Sequence, residues 1–157
     1  MKLASLRLSL LSLLTLLIVG FSACKDKDEP TAEDTNEIVG SWKLQTITPA
    51  TAGVTIPLLA SLPTYAPCYQ DLVYVFKSDN TVSASGCDAA TAALNTSGIL
   101  TVGEDTSWKV ENNQLKLVNG ATTKSFALTQ NDDVMSITVV LNEADTTQNI
   151  LLTFERQ

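Results

Sequence analysis

No histidine occurs anywhere in the 157 residues. That absence removes the Ser/His/acid and Cys/His arrangements that activate a nucleophile, and with them histidine-ligated zinc. Cysteine is scarce as well, at three, and two cysteines without histidine make a poor metal site. No metal and no cofactor are expected. Basic residues number 10 against 17 acids, so the chain lacks the positive surface that selects nucleic acid or an anionic bilayer. The acid pairs Asp132-Asp133 and Glu104-Asp105 sit among turn-forming residues and read as solvated turns. No nucleophile, base and orienting group assemble by spacing, so an enzyme is not expected. Long apolar runs are limited to Leu8 to Phe21, about 14 residues where a membrane-spanning helix needs roughly 20.

Lys2 and Arg7 followed by that run have the form of a secretory signal. The run ends in Phe21-Ser22-Ala23-Cys24, small residues before a cysteine. This resembles the lipobox of bacterial lipoproteins, which is cut ahead of a cysteine whose thiol has been lipidated. The resemblance implies that residues 1–23 are removed and that Cys24 carries acyl chains such as palmitate. An ordinary secretory signal with an incidental cysteine is the alternative. Several acyl chains on one residue anchor far more firmly than one, so the membrane is a partner without a transmembrane helix.

Residues 24–37 form the expected tether. Lys25-Asp26-Lys27-Asp28-Glu29-Pro30 is charged and unsuited to a packed core. The run resembles the signal that sends lipoproteins of the Bacteroidetes to the outer face of the outer membrane. The outer membrane is therefore the expected location, with its periplasmic and exterior faces both open. Losing Lys2 and Arg7 lowers the basic count from 10 to 8 against 17 acids, a formal charge of about −9.

Residues 38–157 are of single-domain size, and their pattern is strand, turn, strand. Ile38 to Ile47 alternates, with Ile38, Trp42 and Leu44 on one face and Lys43 and Gln45 on the other. Thr48 to Pro67 contains Pro49, Pro57, Pro63 and Pro67 and is expected to be an irregular loop, with an apolar cluster from Val54 to Tyr65. Leu72 to Phe76 and Thr81 to Ser85 form a hairpin around Lys77-Ser78-Asp79-Asn80.

Cys68 and Cys87 remain once Cys24 is acylated, and an even pair in an exported chain reads as a disulfide. If Phe76 lies opposite Thr81, then Gln70 faces Cys87 and Cys68 is a diagonal neighbour, within bonding reach after modest twist. The loop of about 19 residues would stabilise the fold by roughly 3 kcal/mol.

After a small-residue loop, Asp88 to Gly98, and a short strand at Ile99 to Val102, a second hairpin joins Ser107 to Val110 with Gln114 to Val118 through Glu111-Asn112-Asn113. Asn119-Gly120 turns the chain again. Strands Thr122 to Thr129, Val134 to Leu141 and Asn149 to Glu155 complete an all-β meander of about eight antiparallel strands. Such a meander closes into an up-and-down barrel or splits into a sandwich. Closure is favoured because it leaves no exposed edge.

Gly40-Ser41-Trp42 on the first strand and Phe154-Glu155-Arg156 on the last carry a resemblance to the lipocalin superfamily. It implies an eight-stranded barrel whose base is closed by Gly40 and Trp42, with Arg156 packed over the indole. A closer resemblance is to short lipocalin-like lipoproteins of the Bacteroidetes, on the acylated cysteine, the acidic tether, Gly-x-Trp, the cysteine pair and the Trp108 to Leu115 hairpin. The C-terminal helix and second disulfide of larger lipocalins have no counterpart here.

In a barrel anchored on Trp42, alternation turns inward Trp42, Leu44, Leu72, Tyr74, Phe76, Val82, Trp108, Val110, Leu115, Leu117, Phe126, Leu128, Met135, Ile137, Val139, Ile150, Leu152 and Phe154. A small hydrophobic ligand in that interior would touch Tyr74, Trp108, Leu117, Phe126 and Met135. Ile56 and Leu59 would reach it from a lid, and Tyr74 or Trp108 would offer a hydrogen bond. An eight-stranded barrel can also be filled by its own side chains. In that case the protein is a structural or interaction module docking to another envelope protein.

Overall fold

The computed structural model describes residues 36–157. The signal, Cys24 and most of the tether lie outside the described residues. Ten principal elements follow in order: β1 (Gly40–Pro49), α1 (Pro57–Tyr65), β2 (Val73–Phe76), β3 (Val82–Ser85), α2 (Asp88–Thr96), β4 (Ser107–Glu111), β5 (Gln114–Asn119), β6 (Thr122–Gln130), β7 (Val134–Val139) and β8 (Ile150–Arg156).

All eight strands belong to one antiparallel sheet, ordered β3-β2-β1-β8-β7-β6-β5-β4. The terminal strands β1 and β8 pair with each other, so the sheet's edges are β3 and β4. These edges meet at a bridge between Thr81 and Ser107, where Val82 N–H donates to Thr106 O at 3.0 Å and Trp108 N–H to Asn80 O at 2.8 Å. The result is a nearly closed up-and-down barrel, and the sandwich alternative falls.

Alternation decides the core. Every residue of the expected inward set is buried except Val110, which is half-buried against it. Tyr74 meets Phe154 edge-to-face at 5.7 Å, and Phe76 meets Trp108 in the same way at 5.7 Å. Such pairs add about 0.5–1.5 kcal/mol beyond the area they bury. A bulge between Leu44 and Thr46 shifts the phase of β1, so that Ile47 faces Leu152.

Three local expectations need correction. The proline-rich segment is not irregular throughout. Pro57 stands at the start of α1, where a missing N–H costs nothing, and the helix tolerates Pro63 within it. Asp88 to Gly98 is not a loop either, because Asp88–Thr96 forms α2. Ala-rich composition favours the helix, and Ala90 and Leu94 bury one face. Ile99 to Val102 forms no strand. Its apolar side chains are buried, but Asn95 holds the segment in place through its side chain, accepting from Val102 N–H and donating to Val102 O, both at 2.9 Å.

The first hairpin is one residue out of the expected register. Phe76 lies opposite Val82, because Lys77 and Thr81 close a three-residue tip in which Asn80 adopts φ 64°. Asp79 steadies it, accepting from Thr81 N–H at 2.9 Å and from its hydroxyl at 2.6 Å. The disulfide between Cys68 and Cys87 forms nonetheless, with Cα atoms 5.5 Å apart. Gly86 makes room for the approach. At φ 88° it lies so close to Asp71 O that a Cβ would sit 2.0 Å from it.

Candidate functional site

Up-and-down connectivity gives the barrel two unlike ends. The lower end holds the start of β1, the end of β8 and the tips at 77–81, 112–113 and 131–133. Trp42 is fully buried there and donates its indole N–H to Ile38 O at 2.7 Å. Arg156, its cross-strand partner, lays its guanidinium 4.3 Å from the centre of the indole ring, an attraction of about 0.5–2 kcal/mol. The same guanidinium donates to Val39 O at 2.9 Å, Asp132 O at 2.6 Å and Glu37 O. Gly40 completes the lock, since a Cβ at φ 139° would fall 2.5 Å from Arg156 Nη1.

A depression of about 510 Å³ opens at this lower end, and its walls are predominantly polar, with Asn36, Glu37, Asn113 and Gln130 around Val110 and Leu128. It is the larger hollow but offers an apolar molecule little surface to bury. Among the described residues no group of three histidine, cysteine, aspartate or glutamate side chains is placed to hold a metal ion.

The upper end carries the long connections. α1 lies between β1 and β2, and α2 between β3 and β4. They pack on one another through Leu62, Leu94 and Ile99, leaving a crevice of only about 20 Å³. The disulfide joins the segment just after α1 to the residue that precedes α2, so the helices form one stapled cap.

Beside this cap the inward face of β5 and β6 changes character. Rising from the core, the cross-strand pairs are Leu115 with Phe126, Leu117 with Lys124, and Asn119 with Thr122. The first pair is wholly apolar and the last wholly polar. β6 is also bare of its other neighbour here, since its pairing with β7 ends at Ala127 and Thr138. Near this gap Lys124 Nζ donates to Gly98 O, just past the end of α2, at 2.6 Å.

Two depressions flank that contact. One, of about 290 Å³, has Leu117 as its floor and Thr101, Asn119, Thr122 and Lys124 as its walls. The other, of about 340 Å³, is lined by Phe126, Val139 and Val140 beside Gly98, Lys124, Ser125 and Glu143, and of its apolar residues only Val140 is exposed. Each combines apolar residues, Leu117 in the first and Phe126, Val139 and Val140 in the second, with polar ones, among them Lys124 in both.

The residues expected to touch a ligand are thus divided. Leu117 and Phe126 reach the upper mouth. Tyr74, Trp108 and Met135 lie inside the packed barrel, each no more than 2% exposed. Trp108 has its indole N–H engaged by Lys77 O at 3.1 Å. Tyr74 is different: its hydroxyl is buried with no hydrogen-bond partner among the described residues, and burial holds its pKa well above the ordinary value. Ile56 is in the core, and Leu59 lines the narrow crevice under the cap. Sequence reasoning missed Lys124 and Val140. Continuing the period of two from Leu128 and Phe126 lands on Lys124, and a lysine on an otherwise apolar face was the available signal.

Residues 38–137 match a family model described as a lipocalin-like domain. No curated protein and no solved structure matches the chain.

Proposed function

This chain belongs to the lipocalin-like domain family, and from that premise we propose that it is a non-enzymatic binding protein whose barrel takes a small hydrophobic molecule at its upper mouth. The observation that carries this reading is the pair of depressions floored by Leu117, Phe126, Val139 and Val140. Val140 is 52% exposed whereas Leu117, Phe126 and Val139 are at most 4% exposed, so the gain comes chiefly from covering Val140, at roughly 25 cal/mol for each Å² withdrawn from water. The deep interior is filled by the protein's own rings and branched chains, so the ligand sits at the mouth and not at the level of Trp42.

Native mass spectrometry of the full chain offered a panel of lipids and other apolar small molecules tests the reading. A retained ligand, lost when Val140 and Phe126 are replaced by serine, is expected. Failure of every panel member to bind overturns it.

The same reading holds the protein at the bacterial outer membrane through an acylated Cys24. Its support is the basic start, the short apolar run, the small residues before the cysteine and the charged tether. Labelling cells with radioactive palmitate tests it. Label in the wild type and none in Cys24→Ser is expected, and label in both contradicts it. Protease shaving of intact cells distinguishes the exterior face from the periplasmic one.

A second reading, docking to another envelope protein, has its own support in α1, where Tyr65 is 74% and Leu58 41% exposed. Crosslinking in cells separates the two. A single partner lost in Leu58→Ser with Tyr65→Ser, and unaffected by Val140→Ser, favours docking.

A further inference from the structure

Gln130, the last residue of β6, carries a side-chain oxygen that is buried without a hydrogen-bond partner among the described residues. Its neighbour settles which end of the amide that is. Asn36 Oδ1 accepts from Ile38 N–H at 3.0 Å, so the Gln130 atom 3.4 Å from it is the donating nitrogen and the orphan is the acceptor. A buried acceptor without a donor costs a fold stability, and a ligand that donates to it removes that cost.

We propose that the depression lined by Gln130 at the lower end of the barrel is a second binding site, and that it takes a neutral saccharide. It shares no lining residue with the two depressions of the upper mouth. Glu37, Asn113 and Thr129 line it with Gln130, and its apolar part is Val110 and Leu128. Among the described residues of the lining none is basic, so an anion finds no partner for its charge. Glu37 gives its backbone carbonyl to Arg156 and makes no ion pair among the described residues, which leaves its carboxylate to accept from a ligand. The side-chain amides donate as well as accept. Hydroxyl groups match them in both senses, whereas an ammonium only donates and meets a single carboxylate. A sugar ring also has C–H faces, and Val110 and Leu128 offer these an apolar surface.

The walls are fixed in advance. Asn113 stands in the β4–β5 tip at φ 58°, and its carbonyl accepts from Leu128 N–H at 2.9 Å, which ties that tip to β6. Ile38 and Arg156 hold the chain at Asn36 and Glu37. A polar hollow already formed loses little to ordering when it binds.

Calorimetric titration of the full-length protein tests the site with neutral oligosaccharides of glucose, galactose, mannose and N-acetylglucosamine, with oligogalacturonate and a glucosamine oligomer as charged probes. Binding of a neutral member and none of oligogalacturonate is expected. Gln130→Met is expected to weaken that binding about ten-fold or more, while its denaturant midpoint, at or above that of the wild type, reports that it is folded. Glu37→Gln, which drops the charge and keeps the hydrogen bonding, is expected to retain binding, and Val140→Ser to leave it unchanged. Amide NMR shifts of the wild type at Asn113, Thr129 and Gln130 locate the site without any variant. No binding by any neutral member, binding that survives Gln130→Met, or shifts centred on Lys124 and Val140 overturns the proposal. Binding confined to the glucosamine oligomer and lost in Glu37→Gln also overturns it, in favour of a cation site.

Discussion

Single residues show where the fold stores its costs. Tyr74 brings a hydroxyl into the core and finds no partner for it among the described residues, and an orphaned buried polar group costs about 1–3 kcal/mol. Tyr74→Phe is therefore expected to raise the unfolding free energy by about 1 kcal/mol, measured by denaturant titration; a loss of stability would mean that the hydroxyl is satisfied. The same burial raises its pKa above the ordinary 10.0. Above about pH 10 the unfolded chain releases this proton and the folded chain keeps it, so stability falls as pH rises. Tyr74→Phe should remove that part of the alkaline loss. Glu111 behaves in the opposite sense. Lys116, at 2.6 Å, and Lys109, at 2.9 Å, hold its carboxyl down at about 2 against an ordinary 4.5. A depressed carboxyl contributes stability that is present above pH 4.5 and lost as pH falls from there toward 2. Because Glu111 is exposed, the effect is small. Glu111→Gln should flatten the acid limb of the stability curve, and an unchanged limb would contradict the pairing.

At the scale of elements, the strands were legible and the helices were not. The β-rich run Leu72 to Phe76 and the alternation from Ile38 to Ile47 both point to strands, and both fall in strands, while the strand expected over Val134 to Leu141 ends at Val139. Asn112-Asn113 announced its own tip, with φ 52° and 58° between the closing residues Glu111 and Gln114. α1 and α2 escaped notice because each is short and packs only a few apolar side chains inward. Four prolines around α1 pointed the other way, although the second of them, Pro57, occupies the one helical position that suits it. The register of the first hairpin slipped by one because a left-handed Asn80 inside a three-residue tip cannot be told from a four-residue turn by composition. The cysteine pairing survived that slip, since the chain before β2 and after β3 converges either way. Replacing Cys68 and Cys87 by serine is expected to lower stability by roughly 3 kcal/mol on the chain-entropy estimate. It should also raise amide exchange across Pro57–Tyr65 and Asp88–Thr96 together, because the staple joins them. Faster exchange in one helix alone would contradict a common cap.

For the whole molecule, the barrel and its lower lock were written in Gly40, Trp42 and Arg156, but the mouth was not. Alternation says which side chains turn inward. It does not say whether they fill the interior, and here Tyr74 packs on Phe154 and Phe76 on Trp108, each ring no more than 2% exposed, which moves the open surface to the rim. That rim exists because β6 outruns its pairing with β7, a matter of strand ends that periodicity does not specify. The central claim is that an apolar ligand occupies this rim and leaves the core intact. Amide and methyl NMR shifts of the full chain during titration with dodecanoate test it most directly. Shifts concentrated at Leu117, Lys124, Phe126, Val139 and Val140 are expected, with Trp42 and Met135 unmoved; shifts centred on Leu58 and Tyr65, or on the Trp42 end, would contradict binding at the rim.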